Sequence, residues 1–187
     1  MKYMILFVLS FITISGIRAQ KEVSVSYFNQ TQAGFFIGEE SEDKNQKAIV
    51  HSFQTINGIR FDEQFGLGIG VGAETFEYLV FPVFVSGTVF FNKPQNKPYI
   101  AVKVGHAFTD SEKRLNNYNY YGDFKHKGGL MFNPEFGMRF KMSTFDMTMS
   151  AGYRFQRLKS GTKQGNNYNY NREVEYNRVS FAIGIMF

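Results

Sequence analysis

Phe65-Gly66-Leu67-Gly68-Ile69-Gly70-Val71-Gly72 is the stretch from which the fold can be read. Odd positions carry large apolar side chains and even positions carry none, a period of two that belongs to a β-strand with two unlike faces. The pattern recurs in Phe145-Asp146-Met147-Thr148-Met149-Ser150-Ala151-Gly152-Tyr153-Arg154-Phe155, with one apolar face and one of Asp, Thr, Ser, Gly and Arg. It recurs again at the end of the chain, where Val179, Phe181, Ile183, Ile185 and Phe187 oppose Ser180, Ala182, Gly184 and Met186.

On either side of this stretch, turn signals divide the chain into eight strands: 26–38, 47–60, 65–76, 78–91, 98–109, 127–141, 145–157 and 174–187. An even number of alternating strands can close on itself. The polar run Asn29-Gln30-Thr31-Gln32 marks a bulge or a pre-barrel segment in the first strand. Pro82 and Pro134 fall inside strands and predict a bulge or a local ladder defect, whereas Pro94 and Pro98 sit at a turn where a missing N–H costs little. The connections alternate in length. Phe61 to Gln64, Asn92 to Lys97 and Met142 to Thr144 are tight. Glu39 to Gln46, Asp110 to His126 and Lys159 to Glu173 are longer polar links, with a shorter one near Glu74 to Glu77. Short turns at one end and long loops at the other describe a membrane barrel.

The start of the chain reads Met1-Lys2-Tyr3, then an apolar run from Met4 to Ile17, then Arg18-Ala19-Gln20. That layout is a secretory signal peptide over 1–19, cleaved after Ala19, which leaves 20–187 as a barrel domain. Elsewhere nothing reaches the roughly 18 consecutive apolar residues a spanning helix requires. The chain has no cysteine, which excludes disulfides, thiolate metal sites and a lipid-modified cysteine. Removing Lys2 and Arg18 leaves 19 basic residues against 16 acidic ones, too small an excess to argue for nucleic acid.

Which face meets lipid follows from side-chain size. Eight strands enclose an interior just wide enough for side chains, so Gly, Ala and Ser belong inside and large apolar residues outside. The apolar tracks, such as Leu130, Phe132, Phe136, Met138 and Phe140, carry no charge; an outward Lys or Arg at mid-bilayer would cost about 2–4 kcal/mol. Charges fall on the opposite track at Lys103, Glu135, Arg139, Lys141, Asp146, Arg154 and Arg178. Inside a closed barrel they must pair or hold water. An ion-paired plug is the reading that eight strands support, with a small-solute or lipid conduit as the alternative. Lys141 and Asp146 flank a turn, where solvation would also serve them.

The signal-like start with Ala19-Gln20, the glycine-alternating strand and the terminal Phe181-Ala182-Ile183-Gly184-Ile185-Met186-Phe187 together resemble the small outer-membrane barrel superfamily. That group includes OmpX-like proteins and the OmpA transmembrane domain. The resemblance covers the mature chain and implies an all-β, closed, antiparallel, eight-stranded up-and-down transmembrane barrel in the bacterial outer membrane. It implies that Phe187 forms part of the signal read by the barrel-assembly machinery, and that outer-membrane lipid and lipopolysaccharide surround the protein. No peptidoglycan-binding domain is expected after Phe187. With no Trp in the chain, Tyr and Phe must supply the interfacial girdles.

Chemistry is sparse. Gly68-x-Gly70-x-Gly72 lacks the following helix that a dinucleotide cradle needs. Lipid A deacylases of this shape resemble one another in a His-x-Ser pair, and His51-Ser52-Phe53, His106-Ala107-Phe108 and His126-Lys127-Gly128 do not match it. The expectation is a non-enzymatic protein without cofactor or metal, with a lipid A-modifying enzyme as a further alternative. The distinctive local feature is a repeated pentapeptide, Asn116-Asn117-Tyr118-Asn119-Tyr120 and Asn166-Asn167-Tyr168-Asn169-Tyr170, in the two longest links. Tyr118, Tyr120, Tyr121, Tyr168 and Tyr170 are the candidate contacts for an unknown extracellular ligand, since Tyr and Asn combine rigid area with adaptable hydrogen bonding.

Overall fold

Alternation of large and small side chains becomes a closed sheet. The computed structural model describes residues 23–39, 47–76, 78–91, 96–109, 124–164 and 167–187. Its strands are β1 (Val25–Glu39), β2 (Lys47–Phe61), β3 (Phe65–Thr75), β4 (Leu79–Phe90), β5 (Asn96–Thr109), β6 (Phe124–Lys127), β7 (Gly129–Lys141), β8 (Asp146–Gln164) and β9 (Asn167–Met186). All pairings are antiparallel, and β9 joins both β8 and β1, which closes the ring. The short β6 pairs only with the upper part of β8, so eight strands form the barrel wall.

The register fixes the shape. From Ser26, cross-strand partners run through Arg60, Gly66, Thr88, Ala101, Glu135, Gly152 and Ser180 and return to β1 at Phe36, ten residues from the start. Ten residues of stagger over eight strands correspond to a strand tilt of about 41° and a climb of about 2.5 Å per residue along the barrel axis. On β4 the outward Leu79, Phe81, Val83, Val85 and Val89, continued by Phe91, therefore form a band about 30 Å tall, enough for a hydrocarbon core. Outward Ile69, Val104, Phe132 and Ile183 continue it around the wall.

Two glycines show how the interior was sized. A Cβ on Gly70 would meet the ring of Phe84, and one on Gly137 the ring of Tyr99. Both rings lie inside the barrel across a neighbouring strand that has no side chain there.

Several expectations need correction. Asn29 to Gln32 is neither a bulge nor a pre-barrel segment: β1 keeps one register with β2 from Val25↔Phe61 to Glu39↔Lys47. Gln30 and Gln32 point inward, and the outward Asn29 and Thr31 bond to outward polar partners on β2. Asn29 Nδ2 donates to Asn57 Oδ1 at 2.9 Å, Tyr27 OH donates to the same oxygen at 2.6 Å, and the Thr31 and Thr55 hydroxyls lie 3.1 Å apart. Mutual bonding lets these groups sit on an otherwise apolar face. The ladder defect expected at Pro82 and Pro134 is present on one side of each, between Val71↔Val83 and Glu74↔Val80 and between Phe132↔Phe155 and Glu135↔Gly152, with no bulge and no shift of either register. The span 127–141 divides at Gly128 into β6 and β7. The segment 159–173 is largely strand rather than loop, because β8 and β9 continue as a hairpin arm with a register shift between Ser160 and Thr162.

Candidate functional site

Inward residues stack in layers from the short-turn end to the long-loop end. Just inside the short-turn mouth lies a largely aromatic floor of Phe28, Phe90, Tyr99 and Met186; Ile56, Phe84, Ala101 and Met131 of the same buried cluster continue upward beside the charges, with Lys103 Nζ 5.9 Å from the Phe84 ring and Arg154 Nη1 donating to Met131 Sδ at 3.2 Å. Next comes a band of charge. Lys103 Nζ donates to Glu135 Oε1 at 2.7 Å and to Gln54 Oε1 at 3.2 Å. Arg154 Nη2 donates to Glu74 Oε2 at 2.6 Å and to Gln156 Oε1 at 3.0 Å, and Gln54 Nε2 donates to Glu74 Oε1 at 2.9 Å. Two cations and two carboxylates thus sit in one hydrogen-bonded set, with both side chains of the Arg154–Glu74 pair fully buried. Above it, Val80, Ala107, Leu158 and Tyr176 close the barrel, with Phe76, Tyr78 and Val174 packed against them.

Each charged residue expected on the inner track has a definite place. Lys103, Glu135 and Arg154 meet in the central band. Arg178 lies higher, its guanidinium over the rings of Phe76 and Tyr176 and donating to the Ala48 carbonyl at 3.3 Å. Arg139 and Asp146 form a separate pair at the short-turn mouth, with Arg139 Nε donating to Asp146 Oδ2 at 2.5 Å. Asp146 is buried there, not solvated, whereas Lys141 is exposed. Glu74 was missed as a lumen residue because it was assigned to a link; it is the last polar residue of the even-numbered track Gly66, Gly68, Gly70, Gly72, Glu74. Gln54 and Arg60 were missed as well, though they share the even track of β2 with Ser52, Ile56 and Gly58.

Both ends differ from the wall. At the short-turn end, Asp62 and Glu63 take positive φ values of 49° and 56°, and Gln64 N donates to the Phe61 carbonyl at 3.0 Å, a two-residue hairpin turn. Lys97 Nζ donates to Glu63 Oε2 at 2.5 Å, and this bond, with the lysine's charge, holds the Glu63 carboxyl below the usual carboxylate range. Phe187 is exposed on the outer face, its ring 6.3 Å from Phe145 and its backbone bonded both ways to Asn29. At the long-loop end, Arg157 pairs with Glu173 and Glu175 at 2.9 and 2.6 Å, and Lys159 with Glu173 at 2.9 Å. These charges face outward on the β8–β9 arm, beyond the apolar band.

Tyr168 and Tyr170 lie on the β9 strand of that arm, where only the backbone is described; Tyr118, Tyr120 and Tyr121 lie outside the described residues. His51 and Ser52 are adjacent on β2 and so point to opposite faces, His51 outward and Ser52 into the lumen. His106 faces outward, its ring 5.0 Å from that of Phe108. Among the described residues, no three His, Cys, Asp or Glu side chains are grouped to hold a metal ion.

No protein-family model matches the chain, and no curated protein matches it either. Solved structures do. The crystal structure of Neisserial surface protein A superimposes with a TM-score of 0.55 at 14% identity, over 87% of this chain and 97% of that one. The outer membrane protein AlkL, solved by solid-state NMR in lipid bilayers, gives a TM-score of 0.51 at 12% identity, over 91% of this chain and 92% of that one. At such identities the likeness is one of fold: a small eight-stranded barrel of the outer-membrane type.

Proposed function

We propose that the chain is an integral protein of the bacterial outer membrane that catalyses no reaction. Its closed barrel anchors the β8–β9 arm and the Tyr/Asn-rich segments at the cell surface, for membrane maintenance or contact with an extracellular ligand. The observation that carries this reading is the filled lumen inside an apolar band: floor, ion-paired band and upper cluster leave side chains at every level of the interior. The apolar band supports burial in lipid, and the charged arm beyond it supports projection into water. The short-turn end then faces the periplasm, where Phe187 would be offered to the assembly machinery, and lipopolysaccharide would surround the upper wall.

Three measurements test the reading together. The purified barrel in planar bilayers is expected to give no discrete conductance steps; steady channel openings would favour the conduit instead. Deleting residues 113–122 and 163–172 is expected to leave a folded barrel that binds cell surfaces differently, and unchanged binding would remove the recognition role. Lipid A from deleted and overexpressing strains is expected to give identical mass spectra, against which a modified species would argue for an enzyme.

A further inference from the structure

We infer that the short-turn mouth of the barrel is a binding site for a small free oxyanion of the phosphate or carboxylate class, held by Arg60 with Arg139. Arg60 is the penultimate residue of β2 and points inward, buried to about nine-tenths. Its Nε and Nη1 donate to nothing among the described residues, and Arg139 Nη1 is likewise buried without an acceptor. Buried guanidinium N–H groups without acceptors are costly, and a planar fork of donors matches an oxyanion.

The charges around Arg60 explain why the protein does not satisfy it internally. Arg60 feels Arg139, Glu63 and Asp146. The two carboxylates are already engaged, Glu63 by Lys97 and Asp146 by Arg139, while Asp62 on the same turn accepts from Ser24 N at 3.0 Å. Exposed Lys141 stands opposite Asp146 in the register and adds further positive charge. Among the described residues of this end, Arg60, Lys97, Arg139 and Lys141 outnumber Asp62, Glu63 and Asp146, a balance that favours an incoming anion. The floor below, with Arg139 stacked over Phe90 at 5.5 Å, stops the anion from going deeper. Because the donors lie inside the ring of strands, a free anion entering from water reaches them more readily than a lipid headgroup outside the wall.

The test uses inorganic phosphate as the probe on the whole barrel in phosphatidylcholine vesicles, with chloride at equal ionic strength as reference. Phosphate is expected to raise the thermal unfolding midpoint of the wild type and to bind measurably by calorimetry. Arg60→Gln breaks no described hydrogen bond, so without phosphate it should melt at or above the wild-type midpoint, which also shows that it is folded. Its phosphate affinity should fall tenfold or more, the loss expected for one charge-assisted hydrogen-bonding group. No phosphate-specific shift in the wild type, or an undiminished shift in Arg60→Gln, would overturn the proposal. So would a shift produced by phosphatidylglycerol in the vesicles but not by inorganic phosphate, which would assign the donors to a headgroup.

Discussion

Removing the Glu74 carboxylate should be among the most damaging single changes in this barrel. In Glu74→Gln the amide oxygen still accepts from Gln54, so the packing hardly changes, but Arg154 is left as a cation with a fully buried side chain. Breaking a buried pair in this way costs about 3–5 kcal/mol, whereas replacing both members is close to neutral. Arg154 retains its bond to Gln156 and the Phe36 ring at 5.4 Å, which places the expected loss at the lower end, about 3 kcal/mol. Arg154→Met should cost a similar amount by stranding Glu74. The double variant should lie within about 1–2 kcal/mol of wild type, giving a coupling of several kcal/mol in a double-mutant cycle. Reversible urea unfolding in phospholipid vesicles, followed by circular dichroism, measures all four corners. Single losses below about 1 kcal/mol that simply add would refute the buried pair, and with it the argument that the central band is an ion-paired plug.

Other parts of the structure make sharper or smaller demands. Val85→Arg puts a cation in the middle of the outer band and should cost about 2–4 kcal/mol by the same unfolding assay; a neutral outcome would mean that this face is wet. Gly137→Val drives a branched side chain into the Tyr99 ring and should cost about 1–3 kcal/mol, with a change in tyrosine near-ultraviolet dichroism as the structural readout. The Lys97–Glu63 pair should give a small pH-dependent stability. Because the folded-state pKa of Glu63 is depressed, that contribution is present above the unfolded value of about 4.3 and is lost as pH falls through the folded one. Since Glu63 is more than half exposed, Glu63→Gln should lower stability by under about 1 kcal/mol at neutral pH and not at all in acid; a constant difference across that range would contradict the linkage.

How far the sequence could be read depends on the kind of information each feature needs. Side-chain alternation is local, so the wall strands from Phe65-Gly66-Leu67 to the terminal Ile183-Gly184-Ile185 were legible, as was the sidedness of Lys103, Glu135 and Arg154. Partner identity is not local. That Arg154 meets Glu74, eighty positions away, follows only from the ten-residue stagger of the closed ring. The upper arm from Lys159 to Glu173 was read as loop because a polar, charged run looks solvated; cross-strand pairing of Lys159 and Glu173, next to Arg157 and Glu175 on the adjoining strand residues, turns it into a strand extension. Asn29 and Thr31 misled in the opposite sense, because a polar run looks like a break until its partners Thr55 and Asn57 are in register beside it.

In this barrel the apolar track lies outside, in hydrocarbon, around a filled interior. The chain contains no tryptophan, so single Trp substitutions at Ile69, Val85, Phe132 and Ile183 would each report one outward position without background. Reconstituted in bilayers, all four should emit at short wavelength, be quenched by lipids brominated on their acyl chains, and be shielded from iodide in water. Efficient iodide quenching with no effect of the brominated lipids would put that face in water and overturn the membrane barrel.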